Sequence, residues 1–294
     1  KGQPTFGSAM AIAKSANPNL RLFTVDKIGS KTPLQDIKNF SSWQQANPEN
    51  VSKFSAVAYF FGQQLQEILD VPVGLIHASW GGSSVEAWIS KDVMNDCQRW
   101  GLGNFPFYYV QIAPYTYGNN DAFETVDNSA FMRTAQLQCL DLIPNSGIAI
   151  TIDIGDEHFI HAPKKKEVAD RLLFNALNQT YGYKTVDFAA PFFDSQEKKN
   201  GGIVLKFKNA ETGLYSYEKL NGFEIAGEDK VFYPAKAKIV ARKDVFVISD
   251  DVPNPVAVRY AWRNWVVGTL YNAMLLPTSS FRTDNWDDAI KAKK

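Results

Sequence analysis

Apolar residues alternate with polar ones through Asn19-Leu-Arg-Leu-Phe-Thr-Val25, after the Asn17-Pro18 turn, and this period of two predicts a strand. From Ser52 to Leu69 the period lengthens. Phe54, Val57, Ala58, Phe61, Leu65 and Ile68 fall on one helical face, with Ser52 at the expected N-cap, so the stripe should pack on a sheet. Val73-Gly-Leu-Ile-His-Ala78 is short and almost continuously apolar, as a strand buried on both faces is. A further strand is predicted from Phe105 to Ala113, a helix from Phe123 to Leu140, a strand from Gly147 to Ile154, and a helix from Glu167 to Tyr181. That last helix gathers Val168, Leu172, Leu173, Ala176 and Leu177 on one side.

Strands separated by helices argue for an α/β fold with a parallel sheet, and this pattern holds to about Tyr183. Beyond Gly182 the character changes. Ile203 to Phe207, Phe223 to Ala226, Ala237 to Val240, Asp244 to Ile248 and Val256 to Trp262 are short strand-like runs broken by Gly, Asn, Asp and Pro, which predicts an antiparallel β module. The expected division is therefore an α/β domain over residues 1–185 and a β-rich module over 186–294 packed on it. No internal repeat or low-complexity tract is visible.

Composition narrows the function classes. Lys+Arg and Asp+Glu both number 31, so the 294-residue chain has no net charge and lacks the basic excess of a nucleic-acid binder. No apolar run approaches the roughly 20 residues that span a bilayer, and the first residues carry no signal-peptide pattern. The aromatic share of 13% suits stacking on sugar rings and suits a β-rich core equally well. Cys97 and Cys139 lack metal-ligand spacing, and whether they are free or bridged stays open.

Two stretches carry candidate chemistry. Asp153-Ile-Gly-Asp-Glu-His-Phe-Ile-His-Ala-Pro-Lys-Lys165 holds two of the three histidines beside acidic groups, on the carboxyl side of a predicted strand. An α/β enzyme keeps its general base in such loops, and a solvated turn has the same composition. Ser79-Trp-Gly-Gly-Ser-Ser84 follows the apolar strand. Its paired glycines, Gly81 and Gly82, let backbone N–H groups approach a ligand and hold an oxyanion, or simply close a tight turn. His77 is expected to be a buried structural residue, and His158 a loop residue. Trp80, Trp88 and Tyr115 are expected in the core, with sugar stacking as the other role.

Gly74-Leu-Ile-His-Ala-Ser-Trp-Gly-Gly-Ser-Ser-Val-Glu-Ala-Trp88 resembles the second block of the sialate O-acetylesterase family, within the SGNH (GDSL-like) hydrolases. Asn17 to Val25, Phe54 to Phe61, Phe105 to Tyr115, Val256 to Trp262 and Phe281-Arg-Thr-Asp-Asn-Trp286 are similar to that family in the same order. The resemblance implies a three-layer, parallel-sheet SGNH-like domain with a C-terminal antiparallel β module. It also implies a serine esterase acting on O-acetylated carbohydrate, with no metal or organic cofactor, and a protein exported like relatives that handle external glycans. His161 and Lys165 match the family's last catalytic block, which makes His161 the expected general base. Gly81 and Gly82 become the expected oxyanion donors, and Arg133 and Gln136 the expected lining of a sugar pocket, with the helix surface as the other placement.

The sequence departs from the family at three places. Phe159 stands where relatives commonly carry Asp, so the acid orienting His161 is expected to be Asp156, with Asp153 and Glu157 behind it. Ala162 replaces the usual Pro. Neither the Gly-Gln-Ser-Asn block of the nucleophile nor the Gly-Glu-Ser-Asn block of an oxyanion-holding Asn is present, and Gly2-Gln-Pro-Thr5 would put Pro at the nucleophile's place. Ser8, Ser79, Ser83 and Ser84 all lie outside that context. Two readings follow: an esterase whose serine belongs upstream of Lys1 and whose middle segment is missing, or a short relative that binds carbohydrate without cleaving it.

Overall fold

A six-residue helix, α1 (Ser8–Ala13), leads into β1 (Asn17–Thr24), whose alternation turns Leu20 and Leu22 into the core and Asn19 and Arg21 to the surface. β2 (Gln44–Ala46) pairs antiparallel with β1. Asn47 then caps α2 (Pro48–Val51), accepting the Asn50 N–H at 2.9 Å, and Pro48 occupies the helix start, where its missing N–H costs nothing. The long helix expected from Ser52 therefore begins later. α3 (Ala56–Leu69) takes Ser55 as its N-cap, while the Ser52 hydroxyl donates to the Glu49 carbonyl. The Asn-Pro-Glu run, which looks like a turn, is a cap followed by a helical turn.

β3 (Val73–His77) runs parallel to β1, with Leu20 opposite Val73 and Thr24 opposite His77. It is not enclosed on both faces as expected. Leu75 is buried against Gly62 of α3, where an added Cβ would meet the leucine side chain at 2.5 Å, whereas Ile76 is 64% exposed. β4 (Phe107–Val110) follows, then α4 (Ser129–Leu142) capped by Asn128, β5 (Ser146–Ala149) and α5 (Lys165–Asn175). A π-helical turn, Ala176–Thr180, continues α5.

This computed structural model describes residues 3–30, 42–83, 105–118, 128–287 and 289–291. Expected features at Ser84, Trp88, Cys97 and the start of the helix predicted from Phe123 lie outside them. Compactness divides the chain into two units, residues 1–106 with 165–173, and residues 107–164 with 174–294. The change of character near residue 185 falls inside the second unit.

The first unit contains the β2-β1-β3 sheet, α1 to α3 and the first part of α5, around a core that includes Leu20, Leu22, Tyr59, Phe60, Leu75 and Ala169. The second contains the parallel pair β4 and β5 and a long antiparallel run. In that run β6 (Phe192–Lys199), β7 (Gly202–Lys208), β11 (Lys236–Val240) and β12 (Asp244–Ile248) form a sheet in the order β11-β12-β7-β6. A five-stranded sheet combines β9 (Phe223–Ala226), β10 (Val231–Pro234), β13 (Ala257–Tyr260), β15 (Phe281–Arg282) and β16 (Ile290–Lys291) in the order β15-β13-β9-β10-β16. β8 (Leu214–Tyr215) and β14 (Tyr271–Asn272) make a separate pair.

Every strand run expected beyond Gly182 is present, within a residue or two at its ends. β6, β8, β10, β14, β15 and β16 were not foreseen; the polar sequence of β6 shows no alternation, and it is held as a strand by pairing with β7 across a register shift at Phe193/Ser195. Ile148, Ile150, Leu205, Ile225, Val245, Val258 and Tyr260 share one core. The result is a mixed α/β fold with several antiparallel sheets.

Candidate active site

The histidine loop hangs from the end of β5. Ile150, Thr151 and Ile152 are buried, and the Thr151 hydroxyl donates to the Gln111 carbonyl at 2.9 Å, so the chain is anchored until Ile152. It then turns. The Ile154 N–H donates to the Thr151 carbonyl at 3.2 Å, and the Gly268 N–H to the Ile152 carbonyl at 3.1 Å. Gly155 passes so close to residues 113–115 that an added Cβ would lie 2.3 Å from the Pro114 carbonyl oxygen. Because that contact is backbone, Gly155→Ala is expected to displace the loop at a cost of about 1 to 3 kcal/mol, measured as a drop in the denaturant midpoint.

Asp156 closes the next turn through Oδ1, which accepts the His158 N–H at 3.0 Å and the Phe159 N–H at 2.9 Å. The Glu157 carbonyl accepts the Thr116 N–H at 3.3 Å, tying this turn to the segment after β4. His161 follows, exposed, with its ring set edge-on to Phe159 at 5.9 Å between centroids. The residue that replaces the family's usual Asp therefore gives the imidazole an aromatic wall. Among the described residues no hydrogen bond joins His161 to Asp156, whose near oxygen is engaged with its own loop. His158 points to solvent beside Glu157, at 3.7 Å.

Beneath the segment after β4 lies a buried polar network. Arg133, on α4, is 0% exposed. Its guanidinium donates to the hydroxyls of Ser280 at 2.8 Å and Ser129 at 2.9 Å and to the carbonyls of Ala261 and Arg263. Burial pushes its pKa down to about 10. Arg133 thus stands neither on the helix surface nor open to a pocket; it ties α4 to the strands of the second unit. Gln136 accepts the Ile112 N–H through Oε1 at 2.8 Å, and its carbonyl accepts the Tyr109 hydroxyl at 2.8 Å, so it holds the chain leaving β4.

Gln111 and Asn264 complete the support and were not singled out from sequence. Gln111 donates to the Arg133 carbonyl and the Ser279 hydroxyl. Asn264 donates to the Tyr117 carbonyl at 2.9 Å and accepts the Ser129 N–H at 2.7 Å. A lone Gln or Asn in an apolar run gives no periodic signal, and only the fold reveals which backbone groups it serves. Tyr115 packs edge-on to Tyr117 at 4.9 Å between centroids.

The glycine turn belongs to the first unit. Gly81 and Gly82 are exposed, Gly82 has φ of 78°, and the Ser83 hydroxyl closes the turn onto the Trp80 carbonyl at 2.7 Å. No described side chain or backbone atom beyond the chain neighbours lies within 4 Å of a Cβ added at either glycine. Just before them His77 Nε2 lies 2.5 Å from the Ser79 hydroxyl, and the imidazole is held below its ordinary pKa by burial and by Lys27. His77 is half-buried rather than enclosed, with Phe54 edge-on at 5.5 Å. Trp80 is 39% exposed, outside the core expected for it.

Among the described residues no group of three or more His, Cys, Asp or Glu side chains converges as a metal site would require, and Cys139 is a free thiol. No helix among them is long and apolar enough to cross a membrane.

No protein-family model matches the chain. Over 89 residues it is 33% identical to sialate O-acetylesterase from Mus musculus, covering 28% of this chain and 16% of that protein. Sialate O-acetylesterase from Homo sapiens is 31% identical over 99 residues, 32% of this chain and 19% of that protein. The chain thus spans less than a fifth of the length of these curated relatives. A solved structure, described as a novel carbohydrate acetylesterase from Xanthomonas citri, matches with a TM-score of 0.84 and 30% identity over 94% of this chain and 76% of that one.

Agreement of that extent marks the fold as one used by a carbohydrate acetylesterase. The chain belongs to the sialate O-acetylesterase family.

Proposed function

We propose that the protein is a carbohydrate O-acetylesterase of SGNH-like, parallel-sheet design, working by a serine–histidine mechanism with His161 as general base. The observation that carries this reading is the likeness, along almost the whole chain, to a solved carbohydrate acetylesterase. The exposed imidazole of His161, on a loop fixed by Gly155 and Asp156, supports it.

In this mechanism a serine hydroxyl attacks the acetyl carbonyl of the sugar ester while His161 takes its proton. Collapse of the tetrahedral intermediate expels the sugar hydroxyl, which recovers that proton, and water then hydrolyses the acetyl-serine by the same steps. The Gly81 and Gly82 N–H groups are the proposed oxyanion donors, and Asp156 the proposed acid orienting His161, with Asp153 and Glu157 behind it. Arg133 and Gln136 act in this scheme from below, by holding the framework under the segment after β4. The serine is the one member not assigned to a residue, since the sequence contains no Gly-Gln-Ser-Asn block.

With Phe159 at the place of the family's usual Asp, a second reading is a relative that binds acetylated carbohydrate without cleaving it. Acetate release from O-acetylated sialic acid and from p-nitrophenyl acetate separates the two. Release from both supports the esterase; sugar binding with no release from either substrate would sink it and support the binding protein.

A further inference from the structure

The first unit holds a cavity of about 430 Å3 that the mechanism above does not use. Much of its wall is apolar, including Ile12, Val57 and Phe60, with hydroxyls from Ser8, Ser55 and Tyr59. Lys165 is the one charged residue of the described lining. It is half-buried, and among the described residues its ammonium has neither a hydrogen bond nor an ion pair. The next residue shows the contrast: Lys166 spends its charge on Asp170 at 2.7 Å.

Lys165 is also badly placed for an unpaired cation. It begins α5, the end of a helix where the backbone dipole is positive and a positive side chain is disfavoured. The start of α3 lies in the same wall through Ser55, Ala56 and Val57. N–H groups of a first helical turn have no helical acceptor, and the Ser55 hydroxyl takes only that of Ala58. Positive potential therefore gathers at one cavity without a counter-charge in the described lining. Burial already pushes Lys165 below its ordinary pKa, the cost of an ammonium that lacks its anion.

We propose that this cavity binds a small carboxylate with an apolar body, the carboxylate held by the Lys165 ammonium and the N–H groups at the start of α3, the body against Ile12 and Phe60. Helix N-termini take carboxylates readily. A single ammonium balances a single negative charge, and the lining has no arginine to grip a phosphate dianion from two sides. An acyl acid has this chemistry; a sugar acid, whose body is hydroxylated, does not. The site does not depend on the esterase reading, because its test needs no turnover.

Calorimetric titration of the whole protein with butyrate, N-acetylneuraminate and the neutral isostere butyramide tests it. Butyrate is expected to give heat; butyramide is expected to bind at least tenfold more weakly, and any heat from N-acetylneuraminate to be unaffected by Lys165→Met. Lys165→Met keeps the apolar stem and is expected to lose tenfold or more in butyrate affinity with its unfolding midpoint retained, while Lys165→Arg keeps most of the affinity. Silence from butyrate, equal binding of butyramide, or an unchanged butyrate affinity in a folded Lys165→Met protein would overturn the proposal.

Discussion

Replacing His161 by alanine is expected to lower acetate release by about 10²- to 10⁴-fold, the share that a positioned general base contributes, with no change in the unfolding midpoint. The second half of that expectation follows from the loop. His161 is exposed, and among the described residues its one ring contact is the edge of Phe159, so removing it is expected to open no cavity and strand no buried polar group. Turnover by His161→Ala at the parent rate would remove this residue from the chemistry. Asp156 offers a sharper comparison, because its Oδ1 already accepts two N–H groups of the turn. Asp156→Asn keeps an acceptor for that turn and loses the charge, whereas Asp156→Ala loses both. If both variants fall together in kcat, the charge serves the imidazole; if only alanine falls, Asp156 acts by shaping the loop.

That comparison also marks where the sequence stopped being informative. The histidine and its lysine were singled out because a motif carries them, and the flanking strand and helix were legible because their periods are distinct. The partner of the histidine was not, since Asp153, Asp156 and Glu157 are equivalent by spacing and differ only in what each side chain bonds. Arg133 shows the same limit from the other direction. A helical arginine near a predicted site reads as a ligand for sugar, yet α4 turns it inward, where four acceptors enclose it. Local patterning records which face of an element is apolar; it does not record which polar residues are spent on holding a backbone.

The β module was legible as its more apolar strands and illegible as two sheets and a separate pair, because order and register depend on pairings distant in sequence. β10 pairs with β9 beside it and also with β16, some sixty residues on, a partnership that no period announces. Exposure was similarly hidden. Continuous apolar runs such as Val73 to Ala78 suggest burial on both faces, but the described structure leaves Ile76 open and encloses Leu75. The turn that follows this strand was foreseen as paired glycines; that Gly82 needs its glycine for a left-handed φ is a conformational fact added by the structure.

Loss of the Asp284 carboxylate is expected to be the most damaging single change to stability, about 3 to 5 kcal/mol for Asp284→Ala, because it leaves a buried charge unpaired. Asp284 and Arg259 have side chains 1% and 0% exposed. Their contact is two-pronged, Arg259 Nε to Asp284 Oδ2 at 3.0 Å and the second guanidinium nitrogen to Oδ1 at 2.7 Å, with a further bond to the Trp286 carbonyl. The guanidinium also stacks over Phe232 at 4.4 Å from the ring centroid. Of the two C-terminal segments that are similar to the family, Val256 to Trp262 supplies the arginine and Phe281 to Trp286 its aspartate. The double variant Arg259→Met, Asp284→Leu removes both charges and is expected to be more stable than Asp284→Ala alone, since no unpaired ion remains. Chemical denaturation of the three proteins decides it. A midpoint for Asp284→Ala equal to that of the parent would mean that the pair carries no net stabilisation.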